Sequence, residues 1–88
     1  MNRSEYRAAV VAELQQIAPE VEPGTLADDR PLRDEVDLDS MDWLNFLIAL
    51  SRKFGVEIPE SVYERLRTLE DLVTYLMTAR PVSQPPAQ

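Results

Sequence analysis

The 88-residue chain is long enough for one small domain, and its apolar content of 44% can supply one modest core. A formal net charge of −7 argues against nucleic acids and anionic membranes as partners and favours proteins with basic patches. Lacking cysteine and histidine, the chain has no disulfide, no thiolate metal site and no imidazole base for a hydrolytic serine. No apolar run reaches a membrane span and residues 1–6 have no signal-peptide core, so we expect a cytoplasmic protein.

The N-terminal segment predicts a first helix over about residues 4–18. Ser4 is the predicted N-cap, because a serine hydroxyl accepts hydrogen bonds from free backbone N–H groups of the first turn. Apolar residues recur at helical spacing in one stripe, which consists of Tyr6, Val10, Leu14 and Ile17. Pro19 is expected to end this helix, since proline cannot donate the next backbone hydrogen bond.

A long connection over residues 20–38 follows the first helix. Pro23, Gly24 and Pro31 mark turns within it. It is longer than a usual loop between bundle helices, and its own apolar residues indicate that it packs against the core. The expected anchors are Leu26, Leu32, Val36 and Leu38.

The second helix is predicted over residues 40–54, with Gly55 as the residue that stops it. Its core face consists of Trp43, Phe46, Leu47, Leu50 and Phe54. A second apolar stripe, formed by Met41, Leu44 and Ile48, lies on roughly the opposite side and begins just after Ser40. The pattern alone leaves two interpretations open: a helix packed on two sides, or an exposed docking patch or groove beside Ser40.

The C-terminal part predicts an extended connector over residues 56–59 and a short helix over residues 60–66. The inward residues of this short helix are Val62, Tyr63 and Leu66. Thr68 and Asp71 form a capping-box pattern that starts a last helix over residues 69–79. The predicted buried stripe of the last helix is Leu69, Leu72, Val73 and Leu76.

These elements predict an all-α fold, a small antiparallel four-helix bundle with three long helices, one short helix and a long first loop. We assign residues 1–80 to this helical domain. Residues 81–88 are rich in proline, glutamine, serine and alanine, and we expect them to form a disordered tail.

Residues 37–39 look like the opening of a calcium-binding loop, but the positions that follow do not continue it. Met41 stands where a third oxygen ligand is needed, Asp42 replaces the required glycine, and Ile48 replaces the bidentate glutamate. We therefore predict no metal site in this segment.

Ser40 is the most informative residue, because it lies where a polar loop becomes an apolar helix. Free backbone N–H groups and the positive end of the helix dipole would favour a phosphate group at this position. The structural alternative is an ordinary N-cap, which is common for an Asp-Ser pair before a helix. Because the chain has no imidazole, modification of Ser40 by another protein is the more economical chemical interpretation.

Three segments and their spacing resemble the acyl carrier protein family. They are Leu-Asp-Ser-Met-Asp at residues 38–42, Phe-Gly-Val-Glu-Ile-Pro at residues 54–59 and Thr-Leu-Glu-Asp-Leu at residues 68–72. The likeness extends over about residues 5–77, nearly all of the predicted domain. It implies a carrier protein, not an enzyme.

The resemblance implies that Ser40 carries 4′-phosphopantetheine, which a separate magnesium-dependent phosphopantetheinyl transferase attaches from coenzyme A. The terminal thiol of the group would carry acyl, aminoacyl or polyketide cargo as thioesters between enzymes. Asp39 matches the acidic residue before the modified serine, which can cap the helix and which the family links to metal and transferase recognition. Met41, Leu44 and Ile48 match positions that contact partners or border the attached chain. Asp42 matches an acidic contact for basic partner patches.

Some positions depart from the family pattern. Asp37 stands where a glycine is common, and Trp43 is bulkier than usual, which we interpret as a core filler. The surface of the second helix is also less acidic than in many fatty-acid carriers, owing to Asn45, Ser51, Arg52 and Lys53. This composition favours a dedicated carrier with its own partners.

The leading hypothesis is therefore a discrete, monomeric acyl carrier protein of fatty-acid, polyketide or related biosynthesis. Its expected partners are the transferase, an acyl-loading ligase or synthase, and acyl-transfer enzymes with basic patches. One alternative is an aminoacyl or D-alanyl carrier loaded by an adenylating enzyme. The other is an unmodified helical interaction module, for which Asp37 is the main support.

Overall fold

The computed structural model describes residues 2–79. Its α-helices are α1 (Arg3–Ile17), α2 (Leu32–Glu35), α3 (Ser40–Phe54) and α4 (Leu69–Thr78), and two 3₁₀ segments span Pro23–Thr25 and Glu60–Arg65. No strand occurs among these residues beyond one isolated bridge between Pro31 and Thr68. The predicted small all-α bundle, with three long helices and a short one over Glu60–Arg65, is confirmed, and α2 is an addition to it. The tail predicted over residues 81–88 lies outside the described part.

The start of α1 corrects one prediction, because Asn2 and not Ser4 is its N-cap. The Asn2 Oδ1 accepts a hydrogen bond from the Glu5 backbone N–H at 2.9 Å, and the Glu5 carboxylate accepts one from the Asn2 N–H at 2.9 Å. Glu5 is at the position that closes this reciprocal capping box on Asn2, so the helix begins earlier than the serine suggested. The Thr68–Asp71 capping box at the start of α4 is confirmed.

The core is entirely apolar within the described residues and lies where α1 packs against both α3 and α4. The predicted core face of α3 is buried apart from Phe54, which is half-buried, and the predicted stripe of α4 is buried throughout. In α1 the buried residues are Val10, Val11 and Leu14, whereas Tyr6 and Ile17 are only half-buried. Val11 joins the core because a helix that contacts two neighbours buries a wider strip than one line of positions.

The long connection is packed, as predicted, and all four of its expected anchors are buried. The Arg7 guanidinium donates to Asp28 Oδ1 at 2.9 Å and to the Leu26 carbonyl at 3.1 Å, which fixes the connection to α1. The Glu70 backbone N–H donates to the Asp28 carbonyl at 2.9 Å, which fixes it to α4. These contacts hold the segment that leads into α3.

The end of α3 also follows the prediction. Gly55 adopts the left-handed conformation with φ of 62°, and its N–H donates to the Ser51 carbonyl. The Ser51 hydroxyl donates to the Val56 carbonyl at 2.7 Å, and the Tyr6 and Phe54 rings stack at 5.4 Å between centroids. The helix is thus fixed at its C-terminal end. None of the helices within residues 2–79 is long and apolar enough to cross a membrane.

Candidate functional site

Ser40 is the first residue of α3 and its side chain is exposed. The N-cap of this helix is the preceding residue, Asp39, whose Oδ1 accepts a hydrogen bond from the Asp42 backbone N–H at 2.8 Å. The Trp43 N–H donates to the Asp39 carbonyl at 3.0 Å and begins the regular helix. The interpretation of Ser40 as the N-cap is therefore wrong, and Asp39 has that role. Within residues 2–79 the Ser40 hydroxyl makes no hydrogen bond.

The backbone around Ser40 is suited to an anionic group. The first turn of an α-helix has N–H groups without intrahelical partners, and Asp39 binds only that of Asp42. The N–H groups of Ser40 and Met41 make no hydrogen bond with any described residue. These N–H groups lie at the positive end of the helix dipole, where a phosphate is stabilised. An exposed hydroxyl beside two free N–H donors fits a phosphodiester on Ser40.

The segment that carries Ser40 is rigidly held although Ser40 itself is exposed. Leu38, two residues before it, is 6% exposed, and Trp43, one turn after it, is 8% exposed. The Trp43 ring packs against that of Phe46 with 5.5 Å between centroids. The predicted core role of Trp43 is confirmed. Buried side chains on both sides therefore anchor the backbone that carries Ser40.

The second apolar stripe of α3 is not covered by the rest of the described chain. Met41 is 62% exposed and Ile48 is 38% exposed, while Leu44 is half-buried. Asp42 lies half-buried at the start of the same helix. Packing on two sides by neighbouring helices is thus contradicted within residues 2–79. The exposed docking surface remains as the interpretation of these residues.

We expect Asp39→Ala to lower the free energy of unfolding by about 1 kcal/mol, because the Asp42 N–H would lose its capping acceptor. Asp37→Ala is the matched control, since Asp37 is exposed in the same loop and makes no hydrogen bond with the described residues. Asp39→Asn should retain most of the stability, because asparagine caps as well as aspartate. Urea unfolding measures all three variants, and equal losses for Asp39→Ala and Asp37→Ala would contradict the capping role.

A cleft that sequence reasoning missed lies one turn from Ser40. Its volume is about 760 Å³. It is lined by Pro31, Arg33, Asp34, Leu38, Trp43, Tyr63, Glu64, Leu66 and Arg67. One wall belongs to α2, a helix of four residues without a side-chain cap. So short an element has no periodic pattern, and nothing in the sequence signals that it faces the segment around Arg67.

Comparisons with known proteins agree with this geometry. The family model described as "Phosphopantetheine attachment site" matches residues 8–76, a range that includes Ser40. The acyl carrier protein of Campylobacter hominis is 36% identical over 72 residues, which are 82% of this chain and 85% of that protein. The acyl carrier protein of Rhodococcus erythropolis is 34% identical over 70 residues, which are 76% of this chain and 77% of that protein.

A solved structure supports the fold independently. The acyl carrier protein of Enterococcus faecalis superposes with a TM-score of 0.73 at 24% identity, over 91% of this chain and 100% of that one. Fold and site together define a small helical domain that carries a phosphopantetheine attachment site. The chain belongs to the acyl carrier protein family. The predicted family and its cofactor, 4′-phosphopantetheine, are thereby confirmed.

Proposed function

We propose that the protein is a discrete acyl carrier whose 4′-phosphopantetheine is attached to Ser40. The observation that carries the proposal is the exposed hydroxyl of Ser40, the first residue of α3. This hydroxyl makes no hydrogen bond within the described residues, because Asp39 caps the helix instead. Members of this family interact with phosphopantetheinyl transferases and with enzymes that handle acyl groups. We extend the carrier domain over residues 1–80 and propose that it works as a monomer in the cytoplasm.

The division of labour follows from the composition of the chain. Attachment joins the Ser40 oxygen to the pantetheine phosphorus of coenzyme A, while the pyrophosphate bond of coenzyme A breaks and adenosine 3′,5′-bisphosphate leaves. The hydroxyl proton passes to a base on the transferase, because this chain has no histidine. The free N–H groups of Ser40 and Met41 stabilise the negative charge of the resulting phosphodiester. The bound group supplies the thiol that a chain without cysteine lacks. The protein positions the attached group and provides the surface that partner enzymes recognise.

Incubation of the purified protein with a phosphopantetheinyl transferase and coenzyme A tests the proposal. Intact-mass spectrometry should show the gain of one phosphopantetheinyl group. A chain that stays unmodified, under conditions in which another carrier protein is fully converted, would favour the unmodified interaction module instead.

The partner-binding surface in this proposal consists of Met41, Asp42, Leu44 and Ile48. Its support is the exposure of Met41 and Ile48 next to Ser40, together with the carboxylate of Asp42 for basic partner groups. The Asp39 carboxylate borders this surface, so it is also a candidate for recognition by the transferase.

We expect Ile48→Glu to lower kcat/KM for phosphopantetheinylation about tenfold, because a charge would replace an apolar contact at the interface. Met77→Glu is the matched control, since Met77 is 42% exposed on α4, away from Ser40 in the sequence. Both variants should unfold within about 0.5 kcal/mol of the wild-type protein, as surface substitutions usually do. A large stability loss in Ile48→Glu alone would show that this side chain belongs to the core.

The cargo belongs to fatty-acid, polyketide or related biosynthesis in this proposal. The weak acidity of α3 also supports the alternative of an aminoacyl or D-alanyl carrier, because Asp42 is its only acidic residue and Arg52 and Lys53 lie in its last turn. Lys53 forms an ion pair with Glu13 at 3.6 Å, which leaves Arg52 as the more available cation. Loading assays of the pantetheinylated protein with adenylating ligases and ATP distinguish the two cargo classes.

A further inference from the structure

We propose that the cleft beside Ser40 binds a cargo that ends in a carboxylate, through the guanidinium groups of Arg33 and Arg67. The cargo class is thus the half-thioester of a dicarboxylic acid. This inference rests on the proposed attachment of the prosthetic group to Ser40.

The cleft has an apolar floor and a charged rim. Leu38, Trp43 and Leu66 are buried and form the floor. Arg33 and Arg67 lie on the rim, and both residues are exposed. A purely aliphatic chain would leave these charged groups next to its apolar end. An acyl chain with a terminal carboxylate matches both the floor and the rim, because its methylene groups contact the floor and its carboxylate contacts the arginines.

A backbone contact brings the two arginines together. The Leu32 N–H donates to the Arg67 carbonyl at 2.9 Å, and the neighbouring pair Pro31 and Thr68 forms the isolated bridge. Arg33 follows Leu32 directly, so two cations from segments distant in the sequence occupy one rim.

Neither guanidinium group is held in an ion pair by the described chain. Arg33 and Arg67 form no ion pair and no side-chain hydrogen bond within residues 2–79. Their planar N–H groups therefore stay available, and arginine binds carboxylates in a bidentate manner.

Two acids, Asp34 and Glu64, lie on the same rim and weaken its attraction for free anions. They bring the formal charge of the rim to zero, so free anions in solution are not concentrated there. A cargo tethered to Ser40 has a high effective concentration at a cleft that starts one helical turn away at Trp43. The cleft thus selects the cargo of its own carrier over free carboxylates.

The test compares two cargoes of equal chain length on the full protein. A phosphopantetheinyl transferase loads Ser40 from adipyl-coenzyme A or from hexanoyl-coenzyme A, and hydroxylamine then cleaves the thioester. We expect Arg67→Gln and Arg33→Gln each to speed up cleavage of the adipyl thioester about fivefold, because loss of a charge-assisted hydrogen bond releases the cargo from the cleft. Cleavage of the hexanoyl thioester should not change.

Arg65→Gln is the matched control, because Arg65 lies two residues from Arg67, is exposed and does not line the cleft. It should leave both thioesters unaffected. Trp43, the only tryptophan, provides a second readout: acrylamide should quench its fluorescence less in the adipyl form than in the hexanoyl form.

Equal effects of Arg67→Gln on adipyl and hexanoyl thioesters would overturn the inference. It would also be overturned if Arg67→Gln already changed Trp43 quenching in the pantetheinylated protein without cargo, because the bound anion would then be the phosphodiester of the arm. Failure of the transferase to load Ser40 at all would instead refute the proposed function, so the two failures are distinguishable.

Discussion

Ser40→Ala is expected to abolish phosphopantetheinylation completely while the fold and its stability stay unchanged. The substitution removes the oxygen to which the group is joined, and no other residue of α3's first turn offers a hydroxyl. The free energy of unfolding should stay within about 0.5 kcal/mol of the wild-type value, because the Ser40 side chain is exposed and Asp39 caps the helix. Intact mass after incubation with transferase and coenzyme A measures the first effect, and urea unfolding measures the second.

Ser4→Ala is the control for this experiment. Ser4 is exposed in the first turn of α1, so it presents a hydroxyl in a similar position on another helix. We expect the Ser4→Ala protein to be modified as fast as the wild type. Residual modification of Ser40→Ala at the wild-type rate would mean that a different residue is the attachment site.

Phe46→Ala is expected to have the largest effect on stability, a loss of about 3–5 kcal/mol in the free energy of unfolding. Phe46 is 0% exposed at the centre of α3 and contacts the Trp43 ring. Its removal leaves a cavity that the surrounding helices cannot fill. A small domain typically has only about 5–15 kcal/mol of stability in total, so this loss is a substantial fraction of it and the midpoint of thermal unfolding should fall markedly.

Ile48→Ala tests the opposite side of the same helix. Ile48 is 38% exposed, so truncation should change the free energy of unfolding by about 0.5 kcal/mol at most. The contrast with Phe46→Ala, measured by urea unfolding at one pH, separates the core face of α3 from its exposed stripe. Similar losses in both variants would contradict that separation.

The sequence predicted the parts of the fold that repeat or that use a specific capping residue. The bounds of α3 were predictable because its apolar period is regular and Gly55 is one of only two glycines. The start of α4 was predictable because Thr68 and Asp71 form a capping-box pattern. Asn2 and Ser4 are both residue types that can cap a helix, and only the geometry shows that Asn2 does so.

In the candidate site, Ser40 was predictable from the sequence, whereas the cleft beside it was not. The position of Ser40 followed from the polar-to-apolar boundary, whereas its release from capping depends on the extended backbone of Asp39. The cleft could not be predicted, since the contact between the Leu32 N–H and the Arg67 carbonyl joins segments far apart in the chain. A tertiary contact of this kind leaves no local pattern.

We expect Ser40 to carry the prosthetic group in the cell. Peptide mass spectrometry of the protein isolated from its native cells tests it most directly. We expect a phosphopantetheinyl group on the peptide that contains Ser40, with or without an acyl cargo on its thiol. Recovery of that peptide only in the unmodified form, from cells whose other carrier proteins are modified, would show that Ser40 is not an attachment site in the cell.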